Sequence, residues 1–300
     1  MIKTFSEVLS ALFRPAPQEL FEPLFHAFIN TKHGRTRELY ECTLRKLHGY
    51  CEDLASLPLE AINHEWLCGF EAFLAVTAPS RNARNIHLRN VRTVYYIAMD
   101  DGLVSRNPFR RFKIRPEPTP KRALTAAQLR KFVAAEVEPW LEKYRDAFLL
   151  MFMLRGINVV DFCRLERMEG NYIRYRRAKT GRLFEIRVEP EALALIRRLR
   201  GRNQLLYPLD RVKDYRTYTG KINKALQRIA ATIPGFPAIT TYWARHTWAT
   251  LAASIDIPKD TIAAALGHGG NTVTDIYIDY DMRKVHNANR KLIRHVFGDK

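Results

Sequence analysis

The stretch RNPFRRFKIRPEPTPKR, residues 106 to 122, constrains the 300-residue chain more than any other. Proline locks φ and removes an amide donor, so Pro108, Pro116, Pro118 and Pro120 exclude a long helix or a central strand here. The chain must build its cores on either side. The reading is a short N-terminal extension over residues 1–19, a helical domain over 20–112, a stiff linker over 113–122 and a second domain over 123–300.

The linker is basic as well as stiff, and so is the rest of the chain. Lys and Arg number 49 against 31 Asp and Glu, a formal net charge of +18. Such an excess repels itself in a compact fold, and a polyanionic partner offsets it. Nucleic acid is the commonest such partner, with an anionic membrane surface as the rival. The longest apolar run, Ala147 to Leu154, is far short of the roughly 20 residues that span a bilayer. The first residues, MIKTFSEVLSALFRP, do not make a secretory signal. None of Cys42, Cys51, Cys68 and Cys163 forms a C-x-x-C pair, so all four read as buried thiols in a reducing compartment.

Before the linker, apolar residues recur at helical spacing over Leu20 to Asn30, Thr36 to Leu54 and Glu65 to Thr77. A fourth helix starts after Ser80, a candidate N-cap. Arg81, Arg84, Arg89 and Arg92 fall on one arc of it, opposite an apolar back of Ile86, Val91, Val94, Ile97 and Ala98. A charge stripe is usually just a solvated face, but no acid lies between residues 81 and 99 to pair with these arginines. They are candidate DNA contacts, with Arg110, Arg111 and Lys113 of the linker.

The second domain opens with a capping box, Thr125 to Gln128. Tyr144 to Leu154 reads as a core helix. Asn171 to Val188 reads as a hairpin with its turn at Lys179-Thr180-Gly181. Helices are expected over Thr219–Ala231, Tyr242–Ser254, Pro258–Leu266, Thr272–Tyr280 and Arg283–Val296.

Three short motifs carry chemistry: Tyr242-Trp-Ala-Arg245-His246-Thr247, then Leu266-Gly267-His268, then Tyr277 nine residues on. Singly, each has a bland reading: a surface arginine, a helix cap, one tyrosine of 13. In this order and spacing they resemble the tyrosine recombinase (phage integrase) family. Lys179 in AKTG matches that family's strand-turn lysine, and Asn107-Pro108-Phe109 matches its interdomain feature. The resemblance spans about residues 20 to 297. It implies a mainly α chain with an N-terminal SAM-like core-binding domain and a mostly helical catalytic domain with a small β-sheet.

The implied reaction is cleavage and rejoining of duplex DNA through a 3′-phosphotyrosyl link. Tyr277 would be the nucleophile, Arg245 the phosphate clamp, His268 a further phosphate donor and Lys179 the general acid. Arginine suits the clamp because its planar fork meets two phosphate oxygens and keeps its charge. The link conserves the bond energy, so no cofactor and no metal are expected. Asp275, Asp279 and Asp281 do not converge on one helix face and read as solvated rather than as metal ligands. The resemblance further implies a homotetramer on a specific DNA site, helped by accessory DNA-bending proteins. The C-terminal helix, Arg283 to Val296, would dock on a neighbouring subunit. The setting would be cytoplasmic and nucleoid-associated, in a bacterium or phage.

Two positions depart from the family pattern. Its first arginine follows a Gly-Leu pair; here Gly156-Ile157 is followed by Asn158. Arg155, one helical turn earlier, is the expected substitute, with Arg164 and Arg177 as further candidates. The alternative for Arg155 is a structural salt bridge to Asp161. The second departure is Tyr242 where the family has histidine; a phenol donates a hydrogen bond but is no base at neutral pH. Two rival functions remain: type IB topoisomerase-like relaxation, and a non-catalytic DNA-binding regulator using the Tyr242–Leu266 helix pair. A covalent protein–DNA adduct excludes the regulator, and a recombinant product excludes simple relaxation.

Overall fold

The computed structural model describes residues 19–267 and 281–298. The expected helix over Thr272 to Tyr280 lies outside them. Among the described residues no helix is long and apolar enough to cross a membrane. The chain divides into two compact units between Thr119 and Pro120.

Among its described residues the first unit packs four α-helices: α1 (Phe21–Asn30), α2 (Gly34–Tyr50), α3 (His64–Thr77) and α4 (Arg81–Asp100). Phe21, Phe25, Leu47, Phe70, Leu88 and Tyr95 are fully buried among them. Side-chain caps start the last two: Asn63 accepts from the Trp66 amide and Ser80 from the Ala83 amide.

The buried face of α4 centres on Leu88, Val91, Val94, Tyr95 and Ala98. Ile86 and Ile97, expected on that face, lie well round the helix from it, each 39% exposed. Polar residues take their place. His87 Nδ1 sits 2.9 Å from the Thr43 hydroxyl, and Asn90 donates to the same hydroxyl at 2.9 Å. Asn85 donates to the Arg115 carbonyl at 2.9 Å. Asn82 and the Glu117 backbone exchange bonds of 2.8 and 3.1 Å. The proline-rich segment is therefore tied along the start of α4. Just before it, the Asn107 side chain accepts from the Phe109 amide and opens a 3-10 turn. That turn buries Phe109 against Tyr95, Tyr96 and Phe112.

The second unit begins with α5 (Ala126–Ala134), whose capping box is complete at Thr125 and Gln128. There follow α6 (Pro139–Met153), α7 (Val159–Cys163), β1 (Tyr172–Arg176), β2 (Leu183–Arg187), α8 (Pro190–Arg198), α9 (Tyr215–Ala231), α10 (Thr241–Ser254), α11 (Lys259–Leu266) and α12 (Met282–Phe297). The two strands pair antiparallel, with Ile173 opposite Ile186 and Tyr175 opposite Phe184. Both isoleucines face the core. Helix α8 was not expected; it is short and starts on Pro190 with no side-chain cap.

Helix α12 corrects the expectation of docking in a neighbour. Its apolar face (Val285, Leu292, Ile293 and Val296) is buried in its own unit. Arg290 clasps Glu191 at 2.7 and 2.9 Å, and Arg130 donates to the Val296 carbonyl at 3.2 Å. Asp281 is a helix cap, accepting from the Arg283 amide at 2.9 Å. The cysteines also differ from expectation. Only Cys163 is buried, and burial pushes its thiol up to about 12; Cys68 is exposed, and Cys42 and Cys51 are half-buried.

A three-part bond holds the centre of this unit. Trp248 of α10, fully buried, donates to Asn289 Oδ1 at 2.8 Å. Asn289 Nδ2 in turn donates to the Met153 carbonyl at 3.0 Å. One α12 amide thus satisfies both an indole and an α6 terminal carbonyl. Asn289→Ala is expected to cost about 1–3 kcal/mol by stranding two buried polar groups, read from urea unfolding of the second unit. An unchanged midpoint would show that water replaces the amide.

Candidate active site

Arg245 lies in the second turn of α10. The helix is entered at Thr240, and Asn223 of α9 accepts from the Thr241 amide at 2.9 Å. Trp243 and Trp248 turn toward the core, which leaves Arg245 half-buried beside them. Its Nη1 donates to the Gly156 carbonyl at 3.2 Å, and its Nη2 donates to the Leu266 carbonyl. Burial lowers its pKa, and the like charge of Arg177 adds to this; Tyr175, Tyr242 and Asp161 oppose it. A guanidinium so placed still holds its proton at neutral pH.

Two glycines let the backbone close on this side chain. Gly156 has φ +65°, and a Cβ there would strike the Arg245 backbone. Gly267 caps α11 in the left-handed region at φ +68°, and a Cβ there would strike the Phe184 ring. The chain leaving Gly267 is the Leu-Gly-His motif. His268 and Tyr277 lie outside the described residues.

The Lys179 turn comes to the same place. The Arg177 carbonyl accepts from Gly181 at 2.8 Å and from Thr180 at 3.2 Å. Asp161 of α7, 4% exposed, accepts from the Ala178 amide at 2.8 Å and pins the turn to the body of the unit. Lys179 itself is exposed. Arg177 Nη1 is 3.4 Å from both the Leu266 and Gly267 carbonyls. The turn and α10 therefore converge on the end of α11.

Arg155 goes elsewhere. Helix α6 ends at Met153, and the Gly156 amide returns to the Met151 carbonyl at 2.9 Å. Arg155 occupies the left-handed position between them, φ +59°, so residues 155 and 158 share no helix face. Its side chain is 2% exposed and donates through Nη2 to the Glu185 carbonyl of β2. Burial lowers its pKa to about 10. Among the described residues its Nε and Nη1 find no hydrogen-bond partner. The alternative pairing with Asp161 is not formed, because that carboxylate is engaged by the turn. Arg155 ties the hairpin to α6. Arg164 is exposed at the end of α7, and Asn158 caps α7 by backbone alone.

Tyr242 is 52% exposed, and its ring stands edge-on to His246 at 4.5 Å. Half-burial lowers the His246 pKa, with Arg122 and Arg245 adding to it. In the first unit, Arg81, Arg89, Arg110, Arg111 and Lys113 are exposed. Arg84 and Arg92 are half-buried, and Arg84 donates to the Pro79 carbonyl at 2.8 Å. The basic arc of α4 is thus narrower than its spacing implies, and it shares its exposed face with Ile86, Tyr96 and Ile97.

Two residues do more at this site than their sequence context indicates: Asp161, whose spacing suggests only a partner for Arg155, and Arg177, one of three arginines near the missing position. The available signal was strand alternation: Arg177 follows the half-buried Tyr175 by two residues and precedes Lys179 by two.

Residues 20–114 match the phage integrase SAM-like domain. A comparison with curated protein sequences gives no match. Among solved structures, the Tn1549 transposon integrase in complex with transposon right end DNA aligns at TM-score 0.70 and 17% identity. That alignment covers 91% of this chain and 99% of the other. The lambda integrase tetramer bound to a Holliday junction aligns at TM-score 0.66 and 17% identity, covering 90% and 80%. A lambda integrase dimer bound to a COC′ core site aligns at 0.67 and 16%, covering 86% and 95%. At these identities the likeness establishes a shared fold.

Asp161→Ala removes the acceptor that pins the lysine turn. It is expected to cost about 1–3 kcal/mol and to speed amide exchange at Ala178. Exchange at the native rate would show that the turn is held by other bonds.

Proposed function

We propose that this chain, a phage integrase SAM-like domain followed by a unit of tyrosine recombinase fold, is a site-specific DNA recombinase acting through a 3′-phosphotyrosyl intermediate. The observation that carries this reading is the convergence on the Leu266 carbonyl. The Arg-His-Thr helix and the Lys-Thr-Gly turn send guanidiniums to the residue that opens Leu-Gly-His. Segments distant in sequence thus bring the cations Arg177 and Arg245 to the end of α11, which supports the reading.

In the proposed reaction the Tyr277 oxygen bonds to the scissile phosphorus and releases its proton to water. The bond from phosphorus to the 5′ oxygen breaks, and its electron pair stays on that oxygen. Lys179 protonates it. Arg245 binds the non-bridging oxygens as negative charge grows on them, and His268 adds a hydrogen bond. Loss of one such preorganised donor costs about 10²–10³ in rate. The reverse attack by a 5′ hydroxyl on the phosphotyrosine rejoins the strand.

Duplex DNA is the partner this chemistry requires. The net charge of +18 and the exposed arginines of α4 and the linker favour phosphate contacts and steep salt dependence. Strand exchange between two duplexes needs four protomers, so a homotetramer on DNA is part of the proposal, as is help from DNA-bending proteins. So is a cytoplasmic, nucleoid-associated setting. The apolar face of α12 is buried in its own unit, so the proposed tetramer does not rest on that face.

The test uses short nicked duplexes randomised around the nick, so that the cleaved end diffuses away and traps the intermediate. The full chain is expected to give an adduct that survives denaturing electrophoresis, and Tyr277→Phe none. Arg245→Ala is expected to lower adduct formation far more than Tyr242→Phe, which removes one hydroxyl and no charge. No adduct from the native chain would leave a DNA-binding regulator as the better reading.

A further inference from the structure

Arg177 stands out among the cations around Arg245. It leaves the end of β1, and its Nη1 shares the Leu266 carbonyl with Arg245 Nη2. Its side chain runs over the Phe184 ring, 5.9 Å from the centroid, and that ring fills the space beneath Gly267. Asp161 fixes the backbone just after it through the Ala178 amide. Among the described residues Arg177 forms no ion pair. After burial, the charge of Arg177 lowers the Arg245 pKa, so the two guanidiniums oppose each other's charge in the free protein.

Two like charges aimed at one point are stabilised by an anion placed between them. The turn carries both ends of that arrangement: Arg177, and Lys179 two residues on. Meanwhile the position after Gly156-Ile157 holds Asn158, which carries no charge, and Arg155 is sealed against the Glu185 carbonyl.

We propose that Arg177 is a catalytic residue that binds the scissile phosphate beside Arg245, supplying the second guanidinium that Asn158 cannot. This rests on the recombinase reading above. Arg177 transfers no proton. Its fork takes one non-bridging oxygen while Arg245 takes the other, and both bonds strengthen as the phosphorus becomes five-coordinate. The carbonyls of Leu266 and Gly267 hold the two side chains in the absence of DNA. A merely structural role is the competing account: Arg177 would cap the C-terminal end of α11.

The experiment uses the nicked duplex recovered as the native chain's adduct, remade with either a phosphate or a methylphosphonate at the cleaved position. The methylphosphonate lacks one charged oxygen and so needs one cation fewer. Arg177→Ala is expected to form adduct about 10²–10³-fold more slowly than the native chain on the phosphate duplex, and within about tenfold of it on the methylphosphonate. Arg177→Lys keeps a cation to cap α11 but loses the fork. It keeps the native melting temperature and shows the same selective loss, which covers the case of an unfolded alanine variant. A native rate for either folded variant on phosphate DNA overturns the proposal, as does an equal loss on both duplexes, while the native adduct leaves the recombinase reading standing. Absence of any adduct from the native chain defeats the recombinase reading itself, and this proposal with it.

Discussion

Everything in the second unit is arranged around one half-buried guanidinium. Arg245 could not sit where it does without two backbone carbonyls to receive its protons, from Gly156 after α6 and from Leu266 at the end of α11. A charge that far from water without acceptors would cost several kcal/mol. The requirement reaches outward. Gly156 must lack a side chain because Arg245 lies against it, so α6 ends in a tight left-handed reversal. Arg155 bears the strain of that reversal and uses its side chain to hold β2. Gly267 must lack one because Phe184 lies beneath it, which brings the hairpin up to α11. The fold delivers three loops to one half-buried cation.

The first unit works by another logic. Its described helices bury aromatic residues, and α4 carries buried asparagines and a histidine where apolar residues would be expected. These polar groups are not idle. They fasten α4 to α2 through Thr43, and to the proline-rich segment through the Arg115 and Glu117 backbones. A segment that reads as a plain spacer is thereby made part of the domain.

Much of this was legible in the sequence because the signals were local. Helical spacing, the Ser80 cap, the Thr125–Gln128 box and the Lys179–Gly181 turn each depend on a few neighbouring residues, and each is found, although the helix expected over Thr36 to Leu54 ends at Tyr50. What was missed depends on long-range contact. Nothing near Arg155 in sequence says that its helix stops two residues earlier or that Glu185 will receive its side chain. Nothing near Asp161 says that its carboxylate will hold the amide of Ala178, 17 residues away. Ile86 and Ile97 misled for a related reason. An apolar residue on an amphipathic helix is assumed to face the core, and α4 gives part of its core face to Asn85, His87 and Asn90. The two arginines part company for the same reason: Arg155 is sealed against the Glu185 carbonyl, whereas Arg245 stays half-buried with its acceptors at the Gly156 and Leu266 carbonyls.

The account stands on covalent chemistry at a single oxygen. Its most direct measurement is the mass of the tryptic peptide Asp260–Arg283 taken from the trapped adduct after nuclease digestion. The prediction is a 3′-phosphonucleotide carried by Tyr277. A nucleotide on Tyr280, or on any residue outside that peptide, would contradict it.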